Sequence, residues 1–96
     1  MTKKELWHIR IGTRVQNDIG AFGETIKGTV IRRQVDNETF GFMIARNKKT
    51  GKIVEKDFYT GNKYLTVTVK FDNGSVRYYD TLKPNYCLEN LKIINE

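Results

Sequence analysis

The chain has 96 residues, 39% apolar and 29% charged, with 17 Lys and Arg against 11 Asp and Glu, a net charge of +6 and a pI near 9.6. That length suits one domain, residues 1–96, able to fold without staples, and the composition is that of a globular rather than a disordered chain. A single cysteine, Cys87, and a single histidine, His8, exclude an internal disulfide and a zinc site of ordinary ligand spacing.

No apolar run reaches the roughly 18 residues of a membrane span. The charged start, Met1-Thr2-Lys3-Lys4-Glu5, is not followed by the apolar stretch of a secretory leader. A reducing, cytoplasmic setting without membrane contact is therefore expected, with Cys87 read as a small, half-buried hydrophobe.

At the N-terminus Trp7, Ile9 and Ile11 alternate with His8 and Arg10, which favours a strand. The rival is a short helix, because Thr2-x-x-Glu5 fits a capping box. Residues 26–34 read as the next strand, closed by a turn at Asp36-Asn37-Glu38. Residues 39–46 and 52–59 then flank Asn47-Lys48-Lys49-Thr50-Gly51 as a hairpin. With Lys48 opposite Lys52, that hairpin gathers Phe40, Phe42, Ile44, Val54 and Phe58 on one face.

Residues 63–71 give the clearest strand. Leu65, Val67, Val69 and Phe71 alternate with Tyr64, Thr66, Thr68 and Lys70, the pattern of a strand with one buried face. Asn73-Gly74 follows, and as a two-residue hairpin loop it sets Phe71 against Val76, Lys70 against Arg77, Val69 against Tyr78 and Thr68 against Tyr79. In that register Tyr78 and Leu82 join the apolar face and only Asp80 is out of place. Residues 84–90 read as one helical or 3-10 turn before a closing strand at 91–94.

Five or six short antiparallel strands in so short a chain are expected to hide their edges in a closed or nearly closed barrel. The order of features resembles the SH3-like small β-barrel in its KOW and Tudor-type relatives. The residues carrying the likeness are Gly12-Thr13-Arg14-Val15, Gly28-Thr29-Val30-Ile31, residues 65–74 and Leu88-Glu89-Asn90-Leu91. The resemblance implies an all-β barrel with a 3-10 turn near the C-terminus. It assigns no function, since such barrels serve many.

Catalysis has little to build on: no serine or cysteine neighbours His8, and the carboxylates are scattered among Lys and Arg. Neither an enzyme nor a cofactor is expected. Gly20-Ala21-Phe22-Gly23 lacks the Lys-Ser/Thr ending of a phosphate loop and reads as a surface loop offering one aromatic contact, Phe22. Arg46, Lys48, Lys49, Lys52, Lys56 and Lys63 against Glu55 and Asp57 put a net +4 into residues 46–63. A lysine-bearing tip of this kind can follow a phosphate backbone or serve only as a soluble turn whose lysines block edge pairing.

On the other hairpin, Lys70 opposite Arg77, flanked by Tyr79 and Tyr64, offers cations beside stacking rings, unless Asp57, Asp80 or Glu89 supplies the counter-charge. The expected function is non-enzymatic nucleic-acid binding through Lys70, Arg77 and Tyr79, with Arg32, Arg33, Lys48, Lys49 and Lys52 on phosphates. The alternative is a protein-interaction module that docks on an acidic protein surface, as an accessory subunit or a phage- or plasmid-type inhibitor.

Overall fold

The computed structural model describes residues 1–19, 24–84 and 88–95. The expectations for Phe22 and Cys87 fall outside those residues. A short helix, α1 (Lys3–His8), precedes five strands: β1 (Arg14–Ile19), β2 (Glu24–Arg46), β3 (Ile53–Phe71), β4 (Val76–Asp80) and β5 (Leu91–Ile93). They form one antiparallel sheet in the order β4-β3-β2-β1-β5. The all-β expectation holds; the sheet is not closed, with β4 and β5 as its two edges.

The N-terminus is the helix, not the favoured strand. Thr2 Oγ1 accepts the Glu5 amide at 3.1 Å while the Glu5 carboxylate accepts the Thr2 amide at 3.2 Å, which satisfies two otherwise orphaned donors. The burial pattern is helical as well: Leu6 and Ile9 are buried and Ile11 is exposed, so the spacing of three wins over the spacing of two. The Met1 amino group donates to the Leu88 and Leu91 carbonyls and ties α1 to the C-terminal segment.

The core gathers Leu6, Ile9, Val15, Val30, Leu65, Val67, Val69, Phe71, Tyr79, Leu88 and Leu91. Burial of each large apolar side chain here contributes about 1.5–3 kcal/mol. β3 supplies four of these residues in strict alternation, as its sequence indicates.

The 71–76 turn differs from expectation by one residue. Phe71 donates its amide to Ser75 and accepts that of Gly74, so the loop is Asp72-Asn73-Gly74, with Gly74 at φ 89°. That is a three-residue hairpin loop ending on a left-handed glycine. The register becomes Lys70 with Val76, Val69 with Arg77, Thr68 with Tyr78 and Val67 with Tyr79. Tyr79 therefore points into the core in place of Tyr78, and Asp80 is no longer out of place.

No turn forms at Asp36-Asn37-Glu38. β2 runs unbroken for 23 residues, because Asp36 pairs with Tyr64 and Asn37 with Lys63, and the ladder overrides local turn preference. Beyond that point β2 and β3 leave the sheet as a two-stranded arm. The molecule measures 61 × 27 × 26 Å with a radius of gyration of 18.2 Å, against about 12 Å for a compact chain of this length.

The ladder shifts register at Ile31, at Glu38 opposite Thr60-Gly61-Asn62, and at Phe40. These are bulges, and each resets which residues share a face. At the tip Asn47 donates to the Lys52 carbonyl at 2.8 Å and Gly51 to that of Asn47 at 2.8 Å. Asn47, not Lys48, is thus the partner of Lys52. The expected apolar face is consequently divided. Phe40, Met43, Ala45, Val54 and Phe58 lie on one side of the arm; Phe42, Ile44, Ile53 and Tyr59 lie on the other.

Candidate nucleic-acid interface

The bulge at Ile31 decides the fate of the two arginines that follow it. Before it, Gly28 and Val30 are buried; after it, Arg32 pairs with Thr68 and Arg33 with Val67. Directly paired residues share a face. Arg33 accordingly joins the core side, where its guanidinium donates to the Trp7 carbonyl of α1. Arg32 joins the outer face. The sequence offers the two as equivalent phosphate contacts, whereas the fold separates them.

The outer face is built in rows across the sheet. One row is Arg32, Thr68 and Tyr78; the next is Thr29, Lys70 and Val76. Arg32 and Lys70 are exposed, and Tyr78 is 64% exposed. Thr68, between the taller Arg32 and Tyr78, is only 8% exposed. Tyr64 lies on the same face and is half-buried. Among the described residues neither Arg32 nor Lys70 has an acidic partner.

The acids nearby are engaged elsewhere. Asp80 accepts the Leu82 and Lys83 amides at 3.0 Å each. Asp72 holds Arg14 in a two-pronged ion pair at 2.8 and 2.7 Å, and the Arg14 guanidinium keeps its carboxyl below the ordinary value. Lys92 lies 3.7 Å from Asp18.

Three site expectations need correction. Lys70 is not opposite Arg77, so no like-charge pair forms, because the hairpin register is displaced by one residue. Arg77 instead pairs with Val69 near the exposed edge and faces Tyr79. Tyr79 is no stacking platform: it is 7% exposed, and its hydroxyl accepts a hydrogen bond from Asn17 Nδ2 at 2.8 Å. Burial raises the Tyr79 phenol above its ordinary value, opposed by Asn17 and Arg77. The aromatic neighbour of Lys70 and Arg32 is Tyr78, which a two-residue loop would place in the core; only the loop length distinguishes the two.

Arg77, Tyr78, Tyr79, Asp80, Lys83 and Leu88 line a cleft of about 310 Å³ beside β4. Lys48, Lys49 and Lys52 are all exposed at the tip of the arm. From Arg32 to the tip is on the order of 50 Å of strand at about 3.3 Å per residue. The tip lysines thus form a second cationic cluster, remote from the first. Among the described residues no group of three or more His, Cys, Asp or Glu could hold a metal ion, and no helix is long and apolar enough to cross a membrane. Comparison with known proteins found no matching family model, no similar curated protein and no similar solved structure.

Proposed function

We propose that the protein is a non-enzymatic nucleic-acid-binding module, which grips phosphates with its outer sheet face and stacks a base on Tyr78. The observation that carries this reading is the row Arg32–Thr68–Tyr78 beside Lys70: two exposed cations, without acidic partners among the described residues, next to an open aromatic ring. Phosphate contacts of this kind give affinity with little base readout, while ring stacking favours single strands. Lys48, Lys49 and Lys52 offer outlying phosphate contacts on a ribbon slender enough for the major groove of a duplex.

The fold proposed for this module is a strongly curled sheet of the SH3-like type. Its support is the strand order, a four-strand meander with β5 returning beside β1, and the Asn17–Tyr79 bond, which joins strands that are not neighbours in the sheet. The turn entering β5 at Leu88 would be the 3-10 element of such barrels.

The test is fluorescence anisotropy with labelled duplex and single strands at 50 and 200 mM salt. Neutralising about four phosphates gives a log–log slope near −3.6, hence a loss of roughly two decades over that range. Arg32→Ala with Lys70→Ala is expected to flatten the slope by up to about two units. Absence of binding to either strand form at the lower salt would overturn the reading.

A second reading, docking on a protein, is favoured by one observation: the arm leaves Phe40 70%, Phe42 72% and Ile53 68% exposed. Large apolar side chains left exposed on both faces of one projecting arm mark a surface that meets a partner. Co-purification of a stoichiometric protein that resists nuclease and high salt would support it over the first.

A further inference from the structure

The arm has two unlike faces. One carries Phe42, Ile44, Ile53 and Tyr59 interspersed with Arg46, Glu55 and Asp57, charges that suit contact with water. The other carries Phe40, Met43, Ala45, Val54 and Phe58, with Lys56 as the one charge within the paired strands and Lys52, the partner of Asn47, at its tip end. Phe40 sits at a bulge and stacks on Phe58 with ring centroids 5.7 Å apart, and the Lys56 ammonium lies 5.9 Å from the Phe58 ring centre. Two-stranded ribbons are marginal by themselves in water. This one nevertheless leaves Phe40 70%, Val54 51% and Met43 44% exposed on its less charged face.

We infer that this face of the arm is covered by the same face of a second copy of the chain, the two arms lying antiparallel about a two-fold axis near Met43. Two features of the arm are self-complementary under that operation and no other simple one. Size is the first. The face is bulky toward the root, at Phe40 and Phe58, and small toward the tip, at Ala45 and Val54, so reversing one arm lays large side chains over small ones. Met43, between the ends, meets its own counterpart and adapts to it. Lys56, the cross-strand partner of Met43, meets its own counterpart at the same level, and its flexible stem covers apolar surface while carrying the ammonium outward to water.

Charge is the second feature. The tip carries Arg46, Lys48, Lys49 and Lys52, whereas the root carries Asp36 and Glu38 against Lys63. Antiparallel overlap brings each cationic tip to the other copy's acidic root; parallel overlap would oppose tip to tip. An isologous pair of this kind closes on itself and does not propagate into fibres. It is independent of nucleic-acid binding, although tip-over-root overlap also carries Lys48 and Lys49 of one copy toward the Arg32 row of the other.

The test uses the full chain without nucleic acid. Sedimentation velocity over a concentration series should show a reversible monomer–dimer equilibrium, and Phe40→Asp should weaken it by at least about tenfold. In a Cys87→Ser background, Met43→Cys should cross-link to itself in a glutathione redox buffer, while Ile44→Cys on the opposite face should not. Lys48→Glu with Lys49→Glu should weaken the dimer, and adding Asp36→Lys with Glu38→Lys should restore it. These positions lie outside the core, so circular dichroism should report an unchanged fold. A monomer at every concentration, equal cross-linking at positions 43 and 44, or failure of the charge exchange to rescue would each overturn the inference.

Discussion

Asn17 of β1 and Tyr79 of β4 are joined by a 2.8 Å hydrogen bond across the interior, although β2 and β3 separate their strands within the sheet. Both side chains are buried, at 7% exposure each. The bond satisfies two polar groups that burial would otherwise penalise by about 1–3 kcal/mol each, and it records how far the sheet curls.

This pair predicts an alkaline limit to stability. Burial raises the Tyr79 phenol above its ordinary value of 10.0. A group that holds its proton more tightly when folded contributes stability fully below the unfolded value, and that contribution is lost as pH rises through the folded one. Melting temperature should therefore fall above about pH 10. Tyr79→Phe should lower stability by about 1–2 kcal/mol at neutral pH, leaving Asn17 unpaired, and should make the alkaline decline shallower. Thermal melts across pH with a phenolate absorbance titration would check both.

At the acid end the Arg14–Asp72 pair sets the opposite sign. Its folded carboxyl value is depressed by Arg14, so its contribution is present above the unfolded value, about 3.9, and is lost as pH falls through the folded one. Asp72→Asn should remove this part of the acid dependence. The pair is exposed, so the expected change is small and is best read as a difference in the slope of melting temperature against pH.

Gly28 and Gly41 lie on the same strand and should respond oppositely to alanine. A Cβ at Gly28 would come within 2.8 Å of the Lys70 carbonyl oxygen and 2.9 Å of Phe71 and Val69 side-chain carbons, whereas at Gly41 it would meet nothing within 4 Å. Gly28→Ala should destabilise by about 1–3 kcal/mol, since the backbone carbonyl cannot yield easily. Gly41→Ala should be near neutral. Chemical denaturation of both variants would decide.

Gly74 occupies the left-handed position that closes the Asp72-Asn73-Gly74 loop. A β-branched residue resists that conformation, so Gly74→Val should cost more than about 1 kcal/mol, with Gly74→Asn milder. An unchanged denaturation midpoint for Gly74→Val would mean that the loop tolerates another conformation.

The aromatic assignments can be separated by binding. Tyr78→Ala should reduce single-strand affinity with little change in salt slope, because stacking releases no counterions. Tyr79→Ala should instead register first as lost stability. Anisotropy titrations paired with melts distinguish the two.

Much of this fold is legible in the chain. Period-two alternation at 65–71 identifies the central strand and its buried face, and Asn73-Gly74 locates a turn. The loop's length is less legible, because Asn-Gly serves two-residue and three-residue loops alike, and the difference moves every β4 side chain to the other face. That single residue separates the expected Tyr79 from the exposed Tyr78. The long β2 was hidden for another reason: Asp36-Asn37-Glu38 carries turn residues, yet its backbone groups find partners on β3. Bulges such as Ile31 leave no signature in composition, so the parting of Arg32 from Arg33 could be seen only in the ladder.

Asn37 and Lys63 remain paired where the arm leaves the sheet, and none of the core side chains comes from residues 38–62. The arm is therefore a removable part. Joining the two paired residues through a tight Asn-Gly turn would leave a smaller body with its packing intact, since closing a short loop there adds little entropic cost. The same junction would accept arms of other lengths or sequences, so that surface recognition could change by insertion, deletion or grafting while the body keeps its sequence.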